Sequence, residues 1–280
     1  MAKTGVFYHK IFKKIRRIRN FPEILEQLLK KPNVILYECE PVSTDLLLRI
    51  HSNEMIESIK RKKIYENALY SAGGAAKAAE KVFKREIDNA FVFVGVGGHH
   101  AGKNSYGGLC YFNDVALAIE NLRIKFNLKR FVIFDTDSHH GDGTRVIFEQ
   151  DSNILHICLC DRDEVSLDGT KVDVKIPEYF TSDYFGYSNE EYLRIVKREF
   201  IPRALRFEPE MIFWYFGYDT YIYDYGDIGL TYPCYLKLTE IIKSVSEKIC
   251  HGRLVVVLGG GSSIGVANLV IPMVIGCLAR

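Results

Sequence analysis

Six stretches of this chain are runs of β-branched and aromatic residues with almost no polar interruption: VILYE (34–38), FVFVGV (91–96), RFVIFD (130–135), NILHICL (153–159), MIFWYF (211–216) and RLVVVLG (253–259). A strand with one wet face alternates apolar and polar residues, whereas a continuously apolar run suits a strand covered on both faces. Helical patterns separate the runs: ALYSAGGAAKAAEKVFK (68–84), NDVALAIENLRIKF (113–126) with an Asn/Asp start signal, EEYLRIVKREFIPRALRF (190–207) and CYLKLTEIIKSVSEKIC (234–250). Strand and helix in alternation predict one α/β domain over residues 1–280, a doubly wound, mostly parallel sheet with helices on both faces. No internal repeat or linker-like stretch divides it. The most apolar segment, VANLVIPMVIGCLA, falls short of the roughly 18 residues of a membrane span and contains Pro272, so it reads as a buried terminal helix.

Charge excludes one class of function. The formal net charge is only +2, so the molecule as a whole is not built to bind a polyanion. The basic run KIFKKIRRIRN (10–20) is the local exception. Ile11, Ile15 and Ile18 fall at helical spacing, which predicts a basic amphipathic helix: a solvated face, or a weak contact to nucleic acid or another anionic surface. The seven cysteines have no zinc-ribbon spacing, and their odd number without a secretory leader points to reduced thiols and a cytoplasmic location. The oligomeric state has no signature in the sequence.

Four of the strand runs lead into polar, glycine-rich stretches: GGHHAG after FVFVGV, DTDSHHGDG out of FVIF, GYDTYIYDYGD after MIFWYF, and GGGSS after VVVL. Ligands of open parallel sheets bind outside the carboxyl ends of the strands, so these four are expected to share one rim. Asp137 and His139 are two apart on a segment leaving a strand and face the same way if it stays extended. With Asp219 from another strand end they make a three-ligand set for a catalytic divalent ion, zinc by ligand type, with iron(II), cobalt or manganese compatible. An isolated D-x-H would merely cap a turn; three matching strand ends favour the metal. His99 and His100, beside that metal, supply an acid/base pair for hydrolysis. Each imidazole needs a carboxylate on its far nitrogen, and Asp135 and Asp142 are the two acids of the nine-residue stretch left for the purpose. His140 is left as a structural hydrogen-bonder.

GHHAGKNSYGGLCYFND, DTDSHHGDG, GYDT and LGGG, in this order, resemble the histone deacetylase group of metal-dependent deacylases, which includes acetoin-utilisation and acetylpolyamine amidohydrolase proteins in the arginase/deacetylase superfamily. STDLLLRIHSNEMIESI extends the resemblance back to about Thr44. It implies Asp137, His139 and Asp219 as zinc ligands, and His99 and His100 as the tandem histidines with Asp135 and Asp142 as their respective partners. Gly108 matches the glycine whose carbonyl lines the acyl-lysine tunnel. A potassium ion near Asp135 and the main chain around Asp137, His139 and Cys158 is a further implication. The implied reaction is removal of an acetyl group from an acetylated lysine of a protein or from a small acetylated amine. Three departures bear on it. Ser263 stands where the family usually has a tyrosine that polarises the substrate carbonyl. Leu109 replaces a tunnel-wall phenylalanine. The rim loop between residues 60 and 72 is short and lacks the family's acidic residue. Tyr225, at the position of a pocket-lining proline, either supplies the missing hydroxyl or simply builds the pocket wall. Two other readings follow: a catalytically weak, metal-binding acyl-group reader, supported by Ser263, and an arginase-like ureohydrolase, which needs more bridging carboxylates for a paired metal site.

Overall fold

The apolar runs all become strands of one sheet. The structure is a computed structural model that describes residues 1–176 and 187–280. Among these residues the strands are β1 (Thr4–Tyr8), β2 (Val34–Glu38), β3 (Asn89–Val92), β4 (Phe131–Asp135), β5 (Ile154–Cys160), β6 (Glu164–Val165), β7 (Lys171–Lys175), β8 (Met211–Phe216) and β9 (Leu254–Leu258). Their order across the sheet is β2-β1-β3-β9-β8-β4-β5-β7-β6, and every pairing is parallel except that of β6 with β7 at the edge. Every residue of β3, β4, β8 and β9 is buried, as two covered faces require. The chain is thus an α/β protein built on a mostly parallel sheet.

The helices are α1 (Glu26–Leu29), α2 (Thr44–Ile50), α3 (Asn53–Lys60), α4 (Tyr65–Phe83), α5 (Asp114–Phe126), α6 (Asp142–Ile147), α7 (Tyr187–Phe207), α8 (Tyr232–Cys250) and α9 (Ile264–Leu278). Asn113 caps α5 as its sequence signal predicts, its side chain accepting from the Ala116 N–H at 3.0 Å. Helix α4 packs on α5 and against β1, β3 and β9, whereas α7, α8 and α9 pack in series. No helix among the described residues is long and apolar enough to cross a membrane.

Three expectations are corrected. The run 10–20 is not an amphipathic helix: Lys10–Lys14 and Arg16–Ile18 are two short 3-10 turns, broken at Ile15, which is extended. Burial of Phe12 and Ile18, six residues apart, fixes the segment by tertiary contact and overrides its helical spacing. FVFVGV forms a strand only as far as Val92, because from Gly95 onward the chain turns towards the rim. The rim loop before α4 is confined to residues 61–64, since the helix starts at Tyr65.

Candidate active site

The four polar stretches follow β3, β9, β8 and β4, which are contiguous in the middle of the sheet, and parallel pairing sends all four to the same rim. Asp135 pairs in register with Tyr215, and Tyr215 with Val257, so the loops leave the sheet at nearly one level. They enclose a cavity of about 660 Å³ lined by Gly95–Gly97, His99, His100, Gly108–Tyr111, Asp137, His139, Tyr215, Tyr225 and Gly259–Ser262, with Ile15, Arg16, Arg17 and Ile64 at its mouth.

Asp137, His139 and Asp219 converge, their donor atoms all lying within 4.8 Å of one another. His139 Nδ1 is 2.9 Å from Asp137 Oδ1 and 3.2 Å from Asp219 Oδ2. Asp219 is further held by the Ser138 hydroxyl, which donates to Oδ2 at 2.5 Å, and Asp137 Oδ2 accepts the Gly260 N–H at 2.6 Å. Both carboxylates are buried, and side by side they repel. Burial and then the charge of Asp137 push Asp219 up to about 7. Burial would raise Asp137 as well, but His99 and the hydrogen bond with His139 hold it below the usual carboxylate range. Hydrogen bonds to the two aspartates raise His139 to about 10. Two buried carboxylates sharing one imidazole leave an excess of negative charge that a cation would relieve, so this donor set fits a divalent metal.

His99 is buried beside this cluster, its Nε2 3.8 Å from Asp137 Oδ1 and its Nδ1 3.0 Å from Asp135 Oδ2. Asp135 is itself fixed, because Oδ1 accepts the Asp137 N–H at 3.0 Å. Burial alone would lower the His99 pKa, but the charges of Asp137 and Asp135 outweigh it and hold it at about 9. His100, nearer the opening, places Nδ1 2.6 Å from Asp142 Oδ1. Its ring centroid is 4.1 Å from that of His99. Each histidine therefore has a carboxylate on Nδ1 and leaves Nε2 free of that bond. Gly108, at φ +53°, lies against the His100 ring; a Cβ there would meet Cδ2 at 2.5 Å. Leu109 lines the mouth and is largely exposed.

Of the two positions considered for the missing phenol, the structure brings only one to the cavity. The Tyr225 ring stacks on His139 with centroids 5.4 Å apart, and its hydroxyl accepts the Gly261 N–H at 3.2 Å. A Cβ on Gly260 would lie 2.6 Å from that hydroxyl and 2.5 Å from Asp137 Oδ2, so glycine there leaves the space between them open. Burial and the charges of Asp219 and Asp137 raise the Tyr225 hydroxyl far above an ordinary phenol, which keeps it a donor. Ser263, by contrast, does not line the cavity. It caps α9, its Oγ accepting from the Val266 N–H at 3.3 Å while its own N–H donates to Asp224 at 2.9 Å.

Two contributors escape a reading of the sequence. Tyr215, an ordinary strand residue by pattern, stacks under His99 with centroids 4.7 Å apart and accepts the Gly98 N–H at 2.9 Å. Arg17, inside the basic run, donates to the carbonyls of Gly259 and Gly261 and so ties the mouth to the loop after β9. Its only sequence signal is an arginine in a segment otherwise fixed by apolar burial.

The potassium ion implied by resemblance would be held by Asp135 and the main chain around Asp137, His139 and Cys158; separately, the Cys158 thiol and a His156 nitrogen lie in one group with the Asp135 carboxylate. No role is derived for that ion. His140 meets the structural expectation: its Nε2 is 3.1 Å from Asp173 Oδ2, which also forms an ion pair with Arg145 at 2.9 Å.

Residues 11–276 match the family described as the histone deacetylase domain. A probable deacetylase of Archaeoglobus fulgidus is 27% identical over 93% of this chain and 82% of its own length. A histone deacetylase-like amidohydrolase of Pseudomonas aeruginosa is 27% identical over 81% of the chain and 66% of its own length. A polyamine deacetylase of Danio rerio is 27% identical over 77% of the chain, which spans 36% of that longer protein.

Proposed function

Because the chain belongs to the histone deacetylase domain family, we propose that it is a metal-dependent deacylase that releases acetate from an acetylated amine, an acetyl-lysine or a small acetylated amine. The observation that carries the proposal is the meeting of two constellations on one cavity: Asp137, His139 and Asp219 as a ligand set, and His99 and His100, each with its carboxylate. A divalent cation held by those three ligands, zinc by donor type with iron(II), cobalt or manganese as alternatives, would polarise the acyl carbonyl and make water a nucleophile at neutral pH.

The rest is done by the chain. With Asp135 and Asp142 accepting from Nδ1, His99 and His100 present Nε2 to the reacting atoms. The pair takes the proton of the attacking water and returns one to the departing amine, a role that accounts for about a hundred- to ten-thousand-fold in rate. Tyr225 donates to the acyl oxygen, since its hydroxyl accepts from Gly261 and keeps its own proton free for the substrate. Gly108 and Leu109 flank the stem of the acylated amine.

A second reading, an acyl-group reader with little turnover, is favoured by the position of Ser263 outside the cavity. One assay separates the two. The metal-loaded protein is given acetyl-lysine peptides and acetylpolyamines, with a chelated control and a hydroxamate competitor. Chelator-sensitive acetate release is the expected result; tight hydroxamate binding without acetate release would replace the hydrolase by the reader.

A further inference from the structure

Two basic runs meet at the mouth of the cavity. Ile15, Arg16 and Arg17 line it, as does Ile64, which directly follows Arg61-Lys62-Lys63. Residues 10–19 and 60–63 contain ten lysines and arginines and no aspartate or glutamate, in a chain whose formal charge is only +2. Of these ten, Arg16 and Arg17 line the cavity itself, and Arg61, Lys62 and Lys63 stand directly before the lining Ile64.

Most of these cations are not neutralised locally. On α7, Arg194 pairs with Glu190 and Glu191, and Arg198 and Arg203 with Glu199, as a solvated helical face does. In the two basic runs, Lys13 pairs with Glu23 and Lys60 with Glu57, Arg17 is bound to main-chain carbonyls, and Lys62 sits 5.4 Å over the Tyr106 ring. Arg16, Arg61 and Lys63 are exposed and have no ion pair among the described residues. Among the described residues that line the cavity Asp137 is the only carboxylate, and it lies deep beside His139. A substrate stem entering past Leu109 and Tyr225 thus emerges beside Arg16, with the exposed Arg61 and Lys63 just before the lining Ile64.

We propose that this rim selects the substrate: an acyl-lysine in a peptide whose neighbouring side chains are acidic, with acetylated polyamines disfavoured because their remaining ammonium groups face Arg16. The inference rests on the deacylase reading for the acyl-lysine and on the rim for the acidic flanks. An exposed ion pair contributes little alone, and three or four acting together favour acidic over basic flanks by about ten- to a hundredfold at low salt. Screening should erase most of that preference at about 0.3 M ionic strength, where the Debye length is shorter than the rim.

The test measures binding apart from turnover. Fluorescent acetyl-lysine peptides of equal length, with acidic or with lysine flanks, are titrated by anisotropy into the metal-loaded protein at low and high salt. N-acetylspermidine and a single-stranded oligonucleotide serve as competitors. The expected results are tighter binding of the acidic peptide by about ten- to a hundredfold, collapse of the ratio at high salt, and its inversion in Arg16→Glu/Arg61→Glu/Lys63→Glu. The milder Arg16→Gln should shift the ratio towards parity. Equal affinities, a salt-independent preference, undetectable binding of the acidic peptide, or better competition by acetylspermidine overturns the proposal. So does an oligonucleotide that binds tightly whether or not the cavity is filled by hydroxamate, which would assign the rim to nucleic acid. Acidic preference without acetate release sinks the hydrolase and keeps the rim; acetate release from all peptides alike does the reverse.

Discussion

Replacing Tyr225 by phenylalanine removes one oxygen and isolates the question raised by Ser263. The ring should keep its stack on His139, with centroids 5.4 Å apart, and its place in the cavity wall. What disappears is a hydroxyl that accepts from the Gly261 N–H at 3.2 Å. As a folding contact that bond is long, and its loss should cost about 1 kcal/mol at most. As a donor to the charge developing on the acyl oxygen, the same hydroxyl is worth about 2.7–4 kcal/mol, or a hundred- to thousandfold in kcat. The two magnitudes separate the roles. Steady-state acetate release from an acetyl-lysine peptide, measured beside thermal unfolding, should show kcat falling by at least about a hundredfold while Tm moves by no more than about 2–4 °C. If kcat stays within about threefold of the unsubstituted protein, a difference below 1 kcal/mol, Tyr225 is only wall and the argument from its hydroxyl is wrong.

Ser263→Ala should behave in the opposite way, losing about 1 kcal/mol of stability with the α9 cap and leaving kcat nearly unchanged; thermal unfolding and turnover report the two. Arg17→Met removes charged hydrogen bonds to the Gly259 and Gly261 carbonyls and should lower turnover and hydroxamate affinity together, by about one to two orders of magnitude at about 1.5–3 kcal/mol; an unchanged hydroxamate affinity would mean that Arg17 does not hold that loop. The chelated protein should also show a pH-dependent stability. The folded pKa of His99 is raised to about 9 from an ordinary 6.5, so its stabilising contribution is full below pH 6.5 and is lost as pH rises through 9. Denaturant titrations at several pH values should show this loss, and it should shrink in Asp135→Asn.

Much of the site could be read from residue types alone because its chemistry is packed into short stretches at strand ends. Asp137 and His139 announce themselves two apart after FVIF, and parallel pairing brings them to Asp219 and to the GGHHAG loop without further information. Periodicity failed where tertiary contacts decide conformation. The isoleucines of the basic run have helical spacing, yet burial of Phe12 and Ile18 and the bonds of Arg17 set two broken turns instead. Strand β7 was hidden for a related reason. Lys171 and Asp173 give it a polar look, but both are buried, with Lys171 Nζ donating to the carbonyls of Asp151 and Ile154 at 3.0 and 2.9 Å and Asp173 in an ion pair with Arg145. Tyr215 shows the same limit: its strand pattern says that it is buried, and only the fold says that it lies under His99.

The central claim is that Asp137, His139 and Asp219 hold one catalytic divalent ion, and metal content measured beside acetate release tests it most directly. The protein should bind one equivalent of zinc, lose acetate release on chelation and regain it on zinc addition, while Asp137→Asn and Asp219→Asn, folded by circular dichroism, retain neither metal nor turnover. Acetate release that survives complete chelation, or full metal content in both variants, would contradict the account.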